Sequence, residues 1–312
     1  MPWIKKGFIY KPDGSLPHSR THAQVPFAMP LPNGRLRIYI SSRDDQGQSR
    51  PTFVEVNGQN PSEVLYVHDR AVMDIGTSGQ YDETGAMPSW FVPLPNGEIW
   101  FYYTGWNRNW DNSYRLAIGL AISKDGGLTF EKAFAGPVMD RNIQNPVWAA
   151  QPSVLYEAGT WKMWYIACHK HEIIDGRPEP FYRAQYAESK DGVRWEISDV
   201  PSINFDDFMH ALGRPSVIKE NGFYKMYYAY RHSNGYRTER DKSYRLGYAE
   251  SADGINWVRK DEEMNLKMSE NPADFDYLMS TYAHCLHHNG QKYLFYNGTG
   301  FGASGFGYAV WE

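Results

Sequence analysis

The sequence predicts an all-β protein, a five-bladed β-propeller with four antiparallel strands per blade in a single domain over residues 1–312. Three observations predict it: a fivefold repeat of aromatic strand-like segments, a tight turn before each segment, and a second turn built on Asp-Gly. The composition agrees, because 16% aromatic residues, 28 glycines and 19 prolines are typical of many short strands joined by tight turns. No linker-like segment interrupts the repeat, so we expect one domain.

The repeat is clearest in a set of aligned tyrosines within apolar or alternating segments such as 98–103 and 161–166. Consecutive members of the set are 63, 63, 63 and 68 positions apart, and the set is Tyr39, Tyr102, Tyr165, Tyr228 and Tyr296. A helical repeat would show a period of about 3.6 residues within each unit, whereas these segments show strand patterns. We therefore predict that each tyrosine marks the second strand of a blade.

A two-residue turn precedes each of these strands. The turns are Asn33-Gly34, Asn96-Gly97, Ala158-Gly159, Asn221-Gly222 and Asn289-Gly290. Asn and Gly both tolerate the positive φ angles of a type I′ turn, which makes Asn-Gly the strongest short hairpin signal. An apolar segment lies before each turn, for example 152–155. Each unit is therefore predicted to begin with a hairpin of strands one and two.

A second turn, with the pattern Ser-x-Asp-Gly, follows a third strand in three of the units. Its aspartates are Asp125, Asp191 and Asp253, and an aromatic residue follows each of them four or five positions later. An aspartate in this position accepts hydrogen bonds from the turn amides, and the aromatic side chain packs between sheets. We predict that these aspartates are structural and that the turn joins strands three and four.

The last unit lacks a fourth strand, because the chain ends at Glu312, directly after the third strand. The N-terminal segment 3–6 resembles 257–260, which is a fourth strand in the repeat. We predict that residues 3–10 form the outer strand of the fifth blade. A ring closed by this N-terminal strand would have no open sheet edge at its seam.

Five blades, aromatic second strands and Asp-Gly-x-x-Trp turns, as at 191–195 and 253–257, resemble the five-bladed propeller glycosidase superfamily. That superfamily includes glycoside hydrolase families 43 and 130 and the invertase-like enzymes. The resemblance covers nearly the whole chain and implies glycosyl hydrolysis or transfer in a funnel at the propeller axis. It also implies carboxylates on the innermost strands of the first three blades. This chain departs from that pattern, because Gln151 stands where the third blade would carry an acid and segment 21–26 contains none.

Strand-one starts and strand-two ends share one face of such a propeller, together with the long loops 41–50, 104–114, 167–182, 230–245 and 297–305. The substrate-binding candidates on this face are Arg43, Trp106, Gln151, His169, His171, Arg214, His232, Tyr282 and His284. Arg and His beside aromatic walls suit a phosphate, carboxylate or nucleotide-sugar ligand, and Arg214 is predicted to bind its anionic part. The alternative is that each cation pairs with a loop acid such as Asp44 or Glu172.

Glycosyl chemistry needs an acid at the leaving oxygen and often a second carboxylate. The catalytic candidates are Asp82 and Glu83, which enter the second blade, and His22 in the first. Neighbours on a strand point to opposite faces, so one of the two acids is expected to face the axis, and we choose Glu83 as general acid or base. The residues expected to converge on one pocket are His22, Glu83, His169, Arg214 and His232.

The net charge of −4 gives the protein no overall attraction to nucleic acid or to anionic membranes. Two cysteines without a CxxC pair argue against a disulfide framework or a zinc-thiolate site. No segment approaches the roughly 18 apolar residues of a membrane span, and no apolar signal region follows the first lysines, so we expect a cytoplasmic location. The predicted partner is a small-molecule carbohydrate or anionic sugar derivative, with no nucleic acid, membrane, metal or cofactor.

Two functions remain open from the sequence. The first is an intracellular carbohydrate-active enzyme of the hydrolase or phosphorylase type, acting at a glycosidic or glycosyl-phosphate bond of an anionic or activated sugar. The second is a glycosidase-like propeller that has lost hydrolysis and binds a glycan, or that carries out another reaction on a nucleotide-sugar or sugar phosphate. The missing acids of the first and third blades favour the second.

Overall fold

Twenty β-strands make up the regular structure of residues 2–109, 113–206 and 209–312, the parts of the chain that the computed structural model describes. The strands of the first half are β1 (Trp3–Tyr10), β2 (Thr21–Pro30), β3 (Arg35–Arg43), β4 (Ser49–Asn57), β5 (Val64–Val67), β6 (Gly85–Pro93), β7 (Ile99–Arg108), β8 (Tyr114–Ser123) and β9 (Glu131–Lys132). Those of the second half are β10 (Trp148–Glu157), β11 (Thr160–Ile174), β12 (Arg177–Ser189), β13 (Glu196–Ile197), β14 (Ala211–Glu220), β15 (Phe223–Arg231), β16 (Arg245–Ser251), β17 (Val258–Arg259), β18 (Thr281–His288), β19 (Gln291–Asn297) and β20 (Phe306–Trp311). Within these parts the helical elements are two single 3₁₀ turns, and no helix has the length and hydropathy that a bilayer span needs.

The strand order groups the strands into antiparallel units of four. Unit 1 contains β2 to β5, unit 2 contains β6 to β9, unit 3 contains β10 to β13, unit 4 contains β14 to β17, and unit 5 contains β18 to β20 together with β1. The N-terminal strand therefore lies where the sequence predicts the missing fourth strand. Trp3 pairs with Trp311 and Ile4 with Val310 across the β1–β20 ladder.

The first strands of the five units contact one another in a closed cycle, in the order β2, β6, β10, β14, β18 and back to β2. The repeat tyrosines lie one strand further out and are fully buried, each with 0% of its surface exposed. This all-β architecture, with the first strands in the centre, agrees with the propeller-like fold that the repeat predicts.

The two repeated sequence features meet in the structure, because aromatic groups of second strands bond to the Asp-Gly turn of the next unit. The bonds run from Tyr39 Oη to Gly127 O (2.8 Å), from Tyr102 Oη to Gly192 O (2.8 Å) and from Trp164 Nε1 to Gly254 O (2.6 Å). A buried hydroxyl or indole N–H needs such a partner. Adjacent sheets are thus joined by hydrogen bonds as well as by apolar packing.

The Asp-Gly turns confirm the structural role predicted for their aspartates. Asp191 Oδ1 accepts hydrogen bonds from the amides of Val193 and Arg194, both at 2.8 Å. These amide bonds stabilise the carboxylate and lower the pKa of Asp191 to about 2. Asp253 accepts the equivalent bonds from Ile255 and Asn256.

One predicted loop is wrong: most of 167–182 is a β-hairpin. Strand β11 continues to Ile174, and β12 begins at Arg177 after the turn Asp175-Gly176. Asp-Gly is a type I′ turn sequence, and both of its residues have positive φ, 51° and 76°. The hairpin thus extends this pair of strands well beyond those of the other units.

Each first strand is interrupted by a β-bulge near its middle. The irregularities lie between Gln24 and Phe27, Pro88 and Trp90, Ala150 and Ser153, Gly213 and Ser216, and Thr281 and His284. Four residues at these bulges have positive φ although they are not glycine: Val25 (55°), Gln151 (50°), Arg214 (32°) and Tyr282 (55°). Such conformations cost about 1–3 kcal/mol each, and bulges re-aim the side chains beside them.

Candidate functional site

A cavity of about 210 Å³ lies beside these bulges, and every unit contributes to its wall. Most of the lining side chains are aromatic or apolar. The lining residues are Gln24, Arg43, Met87, Trp106, Tyr114, Leu116, Trp148, Gln151, Ile166, Tyr182, Gly213, Tyr236, Arg237, Tyr244, Tyr282 and Phe301. Four of the predicted substrate-binding residues, namely Arg43, Trp106, Gln151 and Tyr282, thus lie together in one cavity.

The aromatic wall combines apolar ring faces with a few polar edges. The hydroxyls of Tyr182 and Tyr244 bond to each other, and the Trp148 ring packs 5.1 Å from that of Tyr182. Burial raises the pKa of Tyr182 well above its ordinary value and also raises the pKa of Tyr282. These tyrosines are therefore neutral near pH 7. Ring faces with hydroxyl groups at their edges can hold a ligand that has both C–H and O–H surfaces.

The polar residues of the wall are few and are held in place. Gln151 Oε1 accepts a hydrogen bond from the backbone amide of Arg214 at 3.1 Å, and the backbone amide of Gln151 donates to Thr104 Oγ1 at 2.8 Å. Arg43 Nε donates to Gln24 Oε1 at 3.2 Å. Among the described residues, no carboxylate lies within 4.0 Å of the Arg43 guanidinium. Arg43 is therefore a half-buried cation whose side chain is hydrogen-bonded to a neutral amide.

Arg214 lies elsewhere than the sequence predicted. It is fully buried and is outside the cavity lining. Its guanidinium donates to three backbone carbonyls, Pro26 O (2.7 Å), Tyr282 O (3.1 Å) and Ser89 O (3.2 Å). With its own amide bonded to Gln151, this one residue of unit 4 is linked to units 1, 2, 3 and 5. The Arg214 side chain is a central structural link rather than a surface for ligand.

His284 is also buried among protein groups. Its Nδ1 accepts a hydrogen bond from the Ala28 amide of the next unit at 3.1 Å. Ser153 and Ser216 occupy the same place in their own units, and each accepts from the amide of the following unit at 3.0 Å. His284 therefore takes the part of a repeated serine. Burial lowers the pKa of His284 well below its ordinary value, which fits a neutral ring that accepts at Nδ1.

The two candidate acids of unit 2 are outside the cavity lining. Asp82 is 1% exposed, and its carboxylate is bound by Lys132 Nζ at 2.6 Å and by Tyr103 Oη at 3.0 Å. Glu83 accepts a hydrogen bond from the Gly79 amide at 2.7 Å, within its own loop. Among the residues that the structure describes, none that lines the cavity carries a carboxylate.

The remaining predicted histidines do not line the cavity either. His22 lies in a separate irregularity of β2, between Thr21 and Gln24, and burial, with the nearby charge of Arg43, lowers its pKa to about 4. His169 is exposed on β11, and His171 lies further along the same strand. His232 follows β15, and its ring lies 5.3 Å from that of His210. Of the residues expected to converge on one pocket, none is in the lining.

A buried cation supports the aromatic wall from behind. Arg231 has 0% of its surface exposed, and its guanidinium lies 3.8 Å above the ring of Tyr236. It donates to Tyr244 Oη at 3.3 Å. Tyr236 Oη in turn donates to Glu179, whose carboxylate also pairs with Arg237. The sequence did not predict this group, because its five residues come from β12 of unit 3 and from β15 and the loop after it in unit 4.

One sequence signal would have found part of the wall. The dipeptide Tyr-Arg occurs where the third strand begins in units 2 and 4, at Tyr114-Arg115 and Tyr244-Arg245, and within the third strand of unit 3, at Tyr182-Arg183. All three tyrosines line the cavity. Strand-three starts share the face of strand-two ends, so they belong to the same ring of candidates.

Within the described residues, no group of three or more His, Cys, Asp or Glu side chains is arranged to hold a metal ion. His22 and His284, which the sequence places in adjacent blades, differ in surroundings. The first is half-buried beside Arg43, whereas the second is bonded within the core.

No protein-family model matches the chain. Two proteins of Mycobacterium tuberculosis do: Uncharacterized protein MT1551 (strain CDC 1551 / Oshkosh) and Uncharacterized protein Rv1502 (strain H37Rv). Each is 31% identical to this chain over 313 residues, with 100% of this chain and 100% of the relative covered. The similarity therefore extends from end to end.

Several solved structures share the fold. A putative glycosidase from Bacteroides thetaiotaomicron has a TM-score of 0.72 at 16% identity, with 99% of this chain and 96% of that chain covered. A thermostable family-43 glycoside hydrolase has a TM-score of 0.63 at 19% identity (93% and 88% covered). A structure from work on the GH130 family of mannoside phosphorylases has a TM-score of 0.70 at 14% identity, with 100% of this chain and 94% of that chain covered. These likenesses concern the fold, and they confirm the resemblance to the propeller glycosidases.

Proposed function

The chain belongs to the family of the Mycobacterium tuberculosis protein Rv1502, and we propose that it is a five-bladed propeller that binds an anionic carbohydrate-type small molecule in its central cavity. The observation that carries this proposal is an aromatic cavity, formed by all five units, that contains a half-buried arginine without a carboxylate partner among the described residues. The five units are taken as five blades, closed by β1. The cycle of contacts among first strands and the β1–β20 ladder support that assignment.

The proposed contacts follow from the chemistry of the wall. Trp106 offers a partly exposed ring on which the C–H face of a sugar can stack. Gln24, Gln151 and Tyr282 provide amide and hydroxyl groups for sugar hydroxyls. Arg43 is the proposed contact for the negative charge of the ligand, the role that the sequence predicted for Arg214.

The cavity wall favours the second of the two functions that the sequence leaves open. General acid catalysis at a glycosidic oxygen needs a carboxyl group within hydrogen-bond reach of that oxygen. Glu179 lies one layer behind the wall, where Tyr236 and Arg237 already bind its carboxylate. We therefore propose sugar binding, or chemistry on an activated sugar whose leaving group departs without a protein carboxylic acid, rather than glycoside hydrolysis.

A ligand screen by thermal shift tests this proposal, with uronic acids, sugar phosphates and nucleotide sugars set against neutral sugars. A ligand at 100 times its Kd adds about 2.7 kcal/mol to the free energy of unfolding. Trp106→Ala should weaken binding of any hit about tenfold or more, because it removes the stacking surface. Tyr156→Ala, at an exposed aromatic outside the cavity lining, is the matched control. The proposal fails if no anionic sugar stabilises the protein, or if the two variants bind a hit equally well.

A further inference from the structure

Two arginines from neighbouring units lie at the same side of the cavity. Arg43 ends β3 of unit 1, and Arg108 ends β7 of unit 2. The Arg108 guanidinium lies 5.9 Å from the ring centre of Trp106, a lining residue. It also lies against Gly47, in the turn that follows Arg43, since a Cβ placed on that glycine would be 3.5 Å from Arg108 Nη2. Arg108 is itself outside the cavity lining, and its guanidinium lies beside the stretch of rim that Arg43 and Trp106 contribute.

Neither of these charges is neutralised by the described residues. No carboxylate among them lies within 4.0 Å of Arg43 or Arg108, whereas neighbouring arginines are paired: Arg50 with Asp44 at 2.6 Å and Arg20 with Asp45 at 3.2 Å. Burial, with the like charge of Arg108, lowers the pKa of Arg43, but this guanidinium stays charged near pH 7. Two adjacent cations, one of them half-buried, are costly unless an anion completes the group.

We infer that Arg43 and Arg108 form the binding site for a phosphoryl group of the ligand. This inference rests on the proposed function, because it names the anion that the cavity takes. A phosphate monoester carries a charge of about −1.5 to −2 near pH 7 and three strong acceptor oxygens. Two planar guanidinium forks can satisfy those oxygens and balance a dianion, whereas a uronate carries a single charge that one arginine balances.

The position of Trp106 fixes where the rest of the ligand lies. The indole ring lines the cavity and has Arg108 over one side. A sugar attached to a phosphoryl group held at the rim would extend inward along that ring toward Gln151 and Tyr282. The phosphoryl group comes either from a sugar phosphate ester or from free phosphate that binds beside a sugar.

The test measures binding by isothermal titration calorimetry with four probes: inorganic phosphate, glucose 1-phosphate, glucuronate and glucose. The variants are Arg43→Gln, Arg108→Gln and, as control, Arg194→Gln. Arg194 is an exposed arginine in the Asp191 turn, outside the cavity lining. We expect the ester to bind at least tenfold more tightly than glucuronate. Each rim variant should weaken ester binding about ten- to a hundredfold, as expected for a lost charge-assisted hydrogen bond.

The arms of the experiment separate the outcomes. Tighter binding of the ester than of inorganic phosphate identifies a sugar phosphate as the ligand, and equal binding of the two identifies free phosphate. Either result supports the site if Arg108→Gln abolishes the preference for the phosphate probes over glucuronate. Arg108 is exposed, so its variant should fold even if Arg43→Gln does not. If neither phosphate probe binds, or if Arg108→Gln binds them as the wild type does, the inference is overturned. Glucuronate binding that depends on Trp106 would then still support the proposed function.

Discussion

Replacing Arg214 by methionine should destabilise the protein but should not remove a contact to the ligand. The substitution removes the guanidinium that donates to Pro26 O, Ser89 O and Tyr282 O. A buried carbonyl left without its donor costs about 1–3 kcal/mol, so three of them cost about 3–9 kcal/mol. Removing a buried charge that has no carboxylate partner among the described residues offsets part of this loss. We therefore expect the free energy of unfolding to fall by about 3–5 kcal/mol.

Thermal and urea unfolding followed by circular dichroism measure the effect of Arg214→Met. Arg194→Met, at an exposed arginine, is the control and should change stability by less than about 0.5 kcal/mol. Arg214→Lys should fall between the two, because an ammonium keeps the charge but lacks the planar fork that reaches three strands. An Arg214→Met protein that is as stable as wild type and has lost ligand binding would refute this reasoning. It would restore the sequence-based assignment of Arg214 to the ligand.

Two further predictions concern carboxylates. Asp191→Ala should lower the melting temperature and leave ligand affinity unchanged, since the hydrogen bonds of Asp191 lie within its own turn. Because the pKa of Asp191 is lowered to about 2, its contribution to stability is present above about pH 4 and is lost as the pH falls toward 2. Melting curves of Asp191→Ala and wild type that differ by the same amount at pH 2 and pH 7 would contradict this account. Glu83→Gln should bind ligand with an affinity within about twofold of that of the wild type, because Glu83 bonds to the Gly79 amide outside the cavity lining. A tenfold loss of affinity, measured by calorimetry, would place Glu83 in the site.

The candidate site shows where prediction from sequence stops. Arg43, Trp106, Gln151 and Tyr282 were chosen because strand-two ends and strand-one starts share a face, and they do lie in one cavity. The same rule chose Arg214, which belongs to the core. A bulge inserts an extra residue and re-aims the side chains around it, so simple alternation along the strand fails at these positions.

The roles of the arginines could not be told apart from the sequence either. Arg43, Arg214 and Arg231 all stand near a strand start or end and look alike in the sequence. In the structure the first has a neutral amide neighbour at the cavity, the second bonds to three carbonyls, and the third lies over a tyrosine ring. Whether an arginine can contact a ligand or is bonded within the core depends on groups contributed by other units.

Four features could be predicted from the sequence alone: the repeat, the hairpin turns, the structural aspartates and the place of the N-terminal strand. Each of these depends on patterns within a few residues, such as strand alternation or the φ preferences of Asn-Gly and Asp-Gly. The pairing of the described charged groups beside the cavity, in contrast, depends on the tertiary structure. The partners of Arg214 lie 63 to 188 positions away in the chain, and no local pattern encodes contacts made across a closed cycle of strands.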